Sequence, residues 1–293
     1  MEPTNRRNDS CQTSRGYLVP ITRIPIAMAM IAIPKKEGGY MRFITVPHQM
    51  LRRVAVALAA ALLVVLAWHW GKTYGYRTWA ATLPLSDRYS LRDVNTTQKV
   101  AALTFDISWG TVMPAKVVHL LAADHVAATF FLSGPWAKQN PQLVREMVKD
   151  GFEIESHGWA HVNYSELSTP QIEANIMKTN QVLEELTGKR PTLVRPPNGD
   201  FNSRTILAAR AVGYTTVTWG TDSLDWMNPG VATIISRVVT RIHPGDIVLL
   251  HASDTCKQTD LALPTILRQL AAKGYRLVTV NQLLTYGSPN YRG

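Results

Sequence analysis

Two histidines four residues apart suggest metal chemistry. His157 and His161 follow directly on the apolar, strand-like run 151–155. Two imidazoles at this spacing can reach one small cation from a single turn, and neutral histidine nitrogens are common zinc ligands. Taken alone the pair is a weak signal, because such a spacing often occurs without a metal. It predicts a metal site only if other polar residues converge on it.

Four further polar clusters stand at the ends of other apolar runs. In chain order they are Thr104-Phe105-Asp106, Arg195-Pro196-Pro197-Asn198-Gly199, Asp222-Ser223-Leu224-Asp225-Trp226 and Leu249-Leu250-His251. Because the carboxyl ends of parallel strands meet at one face, we expect these clusters to meet the histidine pair there. Carboxylates, imidazoles and an arginine gathered in this way are suited to metal-assisted hydrolysis.

The elements that must position these residues alternate along the chain from residue 99 onward. Strand-like runs occupy 100–105, 128–132, 152–154, 192–194, 214–219, 247–250 and 275–280, and amphipathic stretches lie between them. Signals such as Ser168-Thr169-Pro170 open several of these stretches, and glycines such as Gly188 close others. Seven strands that alternate with helices predict a parallel α/β sheet closed as a barrel of about seven strands.

The basic charge of the chain is concentrated before this body. The net charge is +10, and residues 1–95 hold thirteen of the 31 Lys and Arg but five of the 21 Asp and Glu. The run Val54–Trp68 is uncharged and follows Arg52-Arg53, and with its flanks it approaches the length of a membrane span. The positive-inside rule places residues 1–53 in the cytoplasm. We expect an uncleaved signal anchor over 54–70, with a cleaved signal peptide as the alternative.

These signals predict a single-pass membrane protein with an extracytoplasmic body. The boundaries that we expect are 71–97 for a linker, 98–287 for the body and 288–293 for a tail. Met41 is an alternative start, because the sequence after it already has the form of a signal-type N-terminus. The body has no basic stripe interleaved with aromatic residues, which argues against nucleic-acid binding. Cys11 and Cys256 predict no disulfide framework, and we expect a monomer.

The five clusters, in this order, resemble the motifs of the polysaccharide deacetylase family (NodB-homology domains, carbohydrate esterase family 4). The resemblance covers about Lys99 to Leu284. It implies a distorted (β/α) barrel that removes N-acetyl groups from polymers containing GlcNAc or MurNAc, using one divalent metal, zinc or cobalt. The sequences of residues 104–110 and 251–259 are similar to those of the sporulation-associated branch of the family. That similarity implies a cell-wall glycan, the peptidoglycan of a spore former, as the substrate.

The resemblance also implies catalytic roles. Asp106 matches the general base that takes a proton from the attacking water, and Arg195 would hold that carboxylate ionised and oriented. His251 matches the general acid that protonates the leaving amine. Asp225 would orient this imidazole and tune its pKa, as carboxylates commonly do.

Five other residues are implied to hold the metal and the substrate. His157 and His161 match metal ligands; the metal would polarise the acetamide carbonyl and lower the pKa of a bound water. The backbone N–H near Asn198 would donate to the oxyanion, and Trp226 would wall the sugar site. Asp222 is either a substrate contact or a cap of its own loop.

Ile107 departs from the family pattern, in which a second aspartate follows the base and binds the metal. Isoleucine has no ligand atom, so three outcomes are open: Asp106 binds the metal itself, water and substrate complete a weak site, or the metal and most of the activity are lost. The rival interpretation is therefore a glycan-binding pseudoenzyme. A metal-free amidase or esterase built on Asp106 and His251 is a third hypothesis.

Other reactive side chains are interpreted as structural. Cys256 follows His251 closely, but a nucleophilic thiol needs a base arranged beside it. Asp124, Lys149 and Arg237 are interpreted as solvated charges on helix faces.

Overall fold

The computed structural model describes residues 29–33, 42–82 and 89–292, so Cys11 and Met41 lie outside the described residues. The chain divides near Gly75 into two compact units. The first contains an antiparallel strand pair, β1 (Ala29–Ile33) and β2 (Arg42–Val46), and most of the long helix α1 (His48–Thr82). His48–His69 is a 22-residue stretch of α1 with a mean hydropathy of 2.2 and no buried part. It is long and apolar enough to cross a membrane, and it contains most of the predicted anchor.

The second unit is built on one ten-stranded sheet. Its strands are β3 (Ser90–Asn95), β4 (Val100–Ile107), β5 (Thr129–Leu132), β6 (Glu153–Ser156), β7 (Leu193–Val194), β8 (Thr215–Thr216), β9 (Thr221–Asp222), β10 (Asp246–His251), β11 (Arg276–Leu277) and β12 (Ser288–Arg292). Each of the seven predicted runs overlaps one of these strands. The strands β4 to β11 pair in parallel, whereas β3 and β12 pair antiparallel.

The sheet curls until its two sides approach each other. The main path runs β12-β3-β10-β4-β5-β6-β7-β8, with β9 beside β10 and β11 beside β4. A bridge joins Leu91 in β3 to Val217, directly after β8. This contact links the two sides of the path, and the predicted distorted (β/α) barrel is confirmed.

Helices connect the parallel strands, as the alternation predicts. They are α2 (Val112–Ala123), α3 (Gly134–Gln139), α4 (Pro141–Lys149), α5 (Thr169–Thr187), α6 (Ser203–Ala211), α7 (Val231–Arg241), α8 (Thr259–Ala272) and α9 (Val280–Leu283). The signals around α5 act as expected: the Gln171 side chain accepts a hydrogen bond from the Ser168 N–H at 2.9 Å, and Pro170 lies in the first turn. Gly188 ends the helix with a φ of 69°, a left-handed conformation that glycine adopts without strain.

The central strand β4 is buried along its whole length, and its side chains alternate between two layers. Leu103, Phe105 and Ile107 belong to one hydrophobic cluster, whereas Val100 and Ala102 belong to another. Successive side chains of a strand point to opposite faces. The neighbour of Ile107 at position 106 therefore projects away from the layer in which Ile107 is buried.

Two strands lie in segments that were interpreted as linker and tail. β3 falls within the predicted linker 71–97, and β12 occupies the predicted tail 288–293. β12 pairs with β3, which also pairs with β10 through Asp93 and Asp246. The sheet therefore extends beyond the predicted body, because these two antiparallel strands stand outside the alternation of strands and helices. The other domain boundaries stay predictions.

Asp246, the first residue of β10, is fully buried. Burial raises the pKa of its carboxyl to about 6. The Thr221 hydroxyl donates to Oδ2 at 2.6 Å, and this hydrogen bond offsets only part of the effect of burial. Because this pKa lies above 3.8, the folded state holds a proton that the unfolded chain has already lost between about pH 4 and pH 6.

We therefore expect the free energy of unfolding to fall as the pH rises from about 4 to about 6, by on the order of 2 kcal/mol. Asp246→Asn should remove this part of the pH dependence, because an amide does not titrate. Urea unfolding of the full-length chain at several pH values measures the slope, with Asp124→Asn at an exposed helix end as the control. An unchanged slope in Asp246→Asn would contradict the assignment.

Candidate active site

The register of β4, β9 and β10 brings three predicted residues to one edge of the sheet. Asp106, near the end of β4, lies directly opposite His251, the last residue of β10. Asp222, the last residue of β9, lies opposite Leu249 of β10. Because these parallel strands pair in register, their carboxyl ends lie at the same level of the sheet. The two carboxylates and the imidazole therefore emerge at the same edge.

The same edge continues through β6 and β7. Ser156 of β6 pairs with Val194 of β7, and the next residues along the chain are His157 and Arg195. The Arg195 N–H donates to the Ser156 carbonyl at 2.9 Å, which extends the ladder by one residue. The structure therefore brings the polar clusters together where the alternating pattern predicted.

These side chains surround one cleft of about 530 Å³. The predicted residues that line it are Asp106, His157, His161, Asn198, Asp222, Trp226 and His251. The other two, Arg195 and Asp225, are fully buried and contact lining residues from behind. All nine predicted site residues thus gather at one place, and their individual roles remain predictions.

Asp106 is buried beside the Arg195 guanidinium. Arg195 donates from Nη1 to Asp106 Oδ1 at 2.8 Å and to Thr104 Oγ1 at 2.8 Å, and from Nη2 to the Thr218 carbonyl at 3.0 Å. Burial alone would raise the pKa of Asp106, but the charge of Arg195, with smaller effects from nearby histidines, holds this pKa below 3.8. The carboxylate is therefore ionised at neutral pH. Its Oδ2 faces His157, whose Nε2 lies 3.7 Å away.

The two histidines are held as neutral imidazoles. Burial lowers the pKa of His157 to about 4, and partial desolvation also lowers the pKa of His161. His157 Nδ1 lies 2.9 Å from the Arg195 carbonyl, so the ring proton is on Nδ1 and the Nε2 lone pair is free. A backbone carbonyl that fixes the tautomer in this way is typical of a metal-binding histidine. The centroids of the two rings are 5.5 Å apart.

The donors present fit a divalent ion held by two imidazoles. Ile107 contributes nothing to this side, because it is fully buried among apolar residues on the other face of β4. In the part of the chain that the structure describes, no group of three or more His, Cys, Asp or Glu side chains is arranged to hold a metal. Catalytic zinc sites normally have three protein ligands. A metal bound by His157 and His161 would therefore be held more weakly than in a three-ligand site.

His251 is paired with the fully buried Asp225. Its Nδ1 lies 2.7 Å from Asp225 Oδ1, while Asp225 Oδ2 accepts from the His251 N–H and from the Thr259 hydroxyl, each at 2.7 Å. Burial alone would lower the pKa of His251, but the hydrogen bond and the charge of Asp225 outweigh it and raise this pKa above 6.5. Thr259 was not among the predicted site residues, because its contact with Asp225 depends on where α8 begins.

Asn198 lies in a tight turn above the cleft. Its φ of 60° is left-handed, which asparagine tolerates better than most residues. Its Nδ2 donates to Asn163 Oδ1 at 2.9 Å. The next two amides, of Gly199 and Asp200, donate within the turn to Pro196 and Pro197 carbonyls. The prediction of an oxyanion donor therefore stays with the N–H of Asn198 itself.

Asp222 and Trp226 line the cleft on the side of β9. Asp222 Oδ1 accepts a hydrogen bond from the Leu224 N–H at 2.8 Å, so this carboxylate caps its own loop and also faces the cleft. The two interpretations of Asp222 are thus compatible. The Trp226 side chain stays 52% exposed while lining the cleft.

Two tryptophans and one thiol also line the cleft without having been predicted as site residues. Trp109 packs edge-on against His161 at 5.3 Å and donates to Thr255 Oγ1 at 3.0 Å. Trp219 lines the same cleft, and both tryptophans lie at or just beyond strand ends, which was the available signal. Burial raises the pKa of the Cys256 thiol to about 12, so this group stays protonated and is no nucleophile.

The interpretation of Arg237 as a solvated charge is wrong. Arg237 is half-buried, and its Nε donates to the Asp222 carbonyl at 3.0 Å. The helix α7 carries the side chain over the loop that holds Asp222, a contact that helical periodicity alone does not reveal.

Comparison with known proteins points to one family. Residues 93–217 match the polysaccharide deacetylase family model. The chain is 37% identical over 215 residues to a peptidoglycan-N-acetylglucosamine deacetylase of Bacillus cereus, an alignment that covers 72% of this chain and 94% of the relative. It is 34% identical over 190 residues to the YlxY protein of Bacillus subtilis, covering 65% of this chain but only 59% of that protein.

Solved structures agree in fold. A carbohydrate esterase family 4 pseudoenzyme from Bacillus anthracis superposes with a TM-score of 0.63 at 30% identity, covering 68% of this chain and 70% of that one. A mutant of that pseudoenzyme has restored enzymatic activity. A family 4 acetyl xylan esterase from Clostridium thermocellum, in complex with a cobalt ion, gives 0.60 at 30% identity and covers 64% and 91%. With its barrel and the cleft at the strand ends, this chain belongs to the polysaccharide deacetylase family.

Proposed function

We propose that this protein removes N-acetyl groups from GlcNAc or MurNAc units of a cell-wall glycan. One observation carries the proposal: Asp106 and His251 line the same cleft, Asp106 bonded to the Arg195 guanidinium and His251 bonded to the Asp225 carboxylate. A carboxylate kept ionised by a guanidinium can take a proton, and an imidazole whose pKa is raised by a carboxylate can give one, as hydrolysis of an acetamide requires. The similarity to peptidoglycan deacetylases supports the choice of substrate.

Each of these side chains has its own role in the reaction. Asp106 accepts the proton of the attacking water through Oδ2, since Oδ1 is engaged by Arg195. His251 donates from Nε2 to the leaving amine, because its Nδ1 is bonded to Asp225. The N–H of Asn198 would stabilise the oxyanion, and Trp226 and Asp222 would position the sugar. The cleavage consumes one water and yields acetate and a free amine.

His157 and His161 would hold one divalent ion, zinc or cobalt. When bound, it would polarise the acetamide carbonyl and lower the pKa of a coordinated water. The free Nε2 of His157 and the complex of a related esterase with cobalt support this assignment.

We expect His157→Ala to weaken cobalt binding by about 10-fold or more, because one of only two protein ligands is lost. The visible absorption of Co²⁺, titrated into the full-length chain in detergent, measures this independently of activity. His119→Ala, which removes an exposed imidazole bonded to Glu146, is the matched control. Equal cobalt affinity in wild type and His157→Ala would contradict the assignment.

Acetate release tests the proposed function. The full-length chain in detergent is chelated and then assayed on chitin oligomers and peptidoglycan, before and after zinc or cobalt is added. We expect metal-dependent release. Release that survives chelation would instead favour the metal-free amidase or esterase built on Asp106 and His251.

A second candidate function follows from Ile107. With this side chain buried away from the cleft and no three-donor metal group among the described residues, the fold would keep its sugar cleft but lack catalysis. Such a glycan-binding pseudoenzyme would parallel the Bacillus anthracis relative, which is a pseudoenzyme of carbohydrate esterase family 4. Glycan binding without acetate release, at any metal concentration, would establish it and overturn the deacetylase.

The cellular location proposed is the outer face of the cell membrane, with α1 as a single-pass anchor. The length, hydropathy and exposure of His48–His69 support it. Fractionation should find the full-length chain in membranes; a shortened, soluble, secreted form would contradict the anchor. The link to sporulation stays a prediction.

A further inference from the structure

A second recess adjoins the cleft and is lined by three arginines. It measures about 390 Å³ and receives Arg92 from β3 and both Arg237 and Arg241 from α7. The two spaces share part of their walls, namely Gly199, Trp219 and Asp222. A polymer with one unit in the cleft would therefore place its neighbouring unit in this recess.

The recess is strongly positive. Asp222 is the one acidic residue in its lining, and none of the three arginines forms an ion pair with a carboxylate in the part of the chain that the structure describes. Arg237 and Arg241 stand four residues apart on one face of α7, where like charges repel each other. An anion in the recess would relieve this repulsion.

Arg92 carries an unused donor. Its Nε is buried, and no acceptor among the described residues lies within hydrogen-bond distance. Its Nη2 reaches the Gly220 carbonyl only at 3.5 Å. A buried donor without a partner is unfavourable. A ligand that brings an acceptor would remove this cost.

We propose that the recess binds a carboxylate carried by the glycan, on the sugar unit next to the one whose acetamide lies in the cleft. The inference rests on the proposed function, since it places a glycan in that cleft. Guanidinium groups match the two oxygens of a carboxylate. The muramic unit of cell-wall glycan presents such a group on its lactyl ether where no peptide is attached, whereas chitin has none. The recess would therefore favour muramic-type glycan over neutral polymers.

Binding of matched oligosaccharides tests this inference. The full-length chain in detergent is titrated calorimetrically with a peptide-free GlcNAc–MurNAc tetrasaccharide, with the same sugar after reduction of its carboxyl groups to alcohols, and with chitin tetrasaccharide. We expect the carboxylated sugar to bind about 10-fold more tightly than the other two. The double variant Arg92→Gln/Arg241→Gln should lose this preference and leave chitin binding unchanged. Arg268→Gln, an exposed arginine that bonds within α8, is the control.

The outcomes separate the inference from the function on which it rests. Equal wild-type binding of all three sugars, or a double variant that weakens all three alike, overturns the carboxylate site and leaves the deacetylase standing. Wild type that binds none of them overturns both. A single variant, Arg92→Gln, should weaken the carboxylated sugar alone, and an unchanged affinity in this variant would remove Arg92 from the site.

Discussion

Asp106→Asn is expected to lower the rate of acetate release by about 10²- to 10⁴-fold, the range that loss of a general base produces. The amide keeps the shape of the side chain but accepts no proton from water. It also leaves the buried Arg195 without its charge partner. Acetate release from N-acetylated glycan by the full-length chain measures the effect.

Two controls make this result interpretable. Asp124→Asn makes the same chemical change at an exposed helix end and should keep wild-type rates. Near-ultraviolet circular dichroism and chitin binding should show that Asp106→Asn still folds, because an unpaired buried arginine is destabilising. A folded Asp106→Asn with wild-type turnover would remove Asp106 from the reaction.

Asp225→Asn is expected to lower kcat by about 10²-fold or more and to move the alkaline limb of the pH–rate profile to lower pH. The general acid works only while His251 is protonated, so activity falls as the pH rises through its pKa. Asp225 raises that pKa, and its neutral amide no longer does so. The pH profile of kcat measures the shift.

Thr259→Val provides the matched comparison for this change. It removes one hydrogen bond to Asp225 Oδ2 but leaves the negative charge in place. The alkaline limb should therefore move much less than in Asp225→Asn. An alkaline limb that stays in place in Asp225→Asn would show that another group, and not His251, protonates the amine.

The site was predictable because its residues stand directly at strand ends. Asp106, His157, Arg195 and His251 each lie at the end of an apolar run, and parallel pairing alone brings such positions to one edge. No knowledge of long side chains or helix positions is needed for this step. The same rule explains why all nine predicted residues gather around one cleft.

Features that depend on tertiary placement were not predictable. β3 pairs antiparallel with both β10 and β12, so no alternation with helices marks these two outer strands. Arg92 and Arg237 are far apart in sequence, and only the closure of the barrel brings them to one recess. The direction of Ile107 does follow from strand alternation, but only once β4 is known to stay extended through residue 107.

The pairing of β3 with β12 has a mechanical consequence. Ser90 stands opposite Arg292, so the first and last strands of the sheet start and finish side by side. Tension between these two ends would load the hydrogen bonds of the pair one after another, as in opening a zipper, because antiparallel bonds lie across the strands. The barrel would thus begin to unfold at a low pulling force, starting at the β3–β12 pair. Joining these ends and cutting the chain elsewhere should be tolerated, since they are already adjacent.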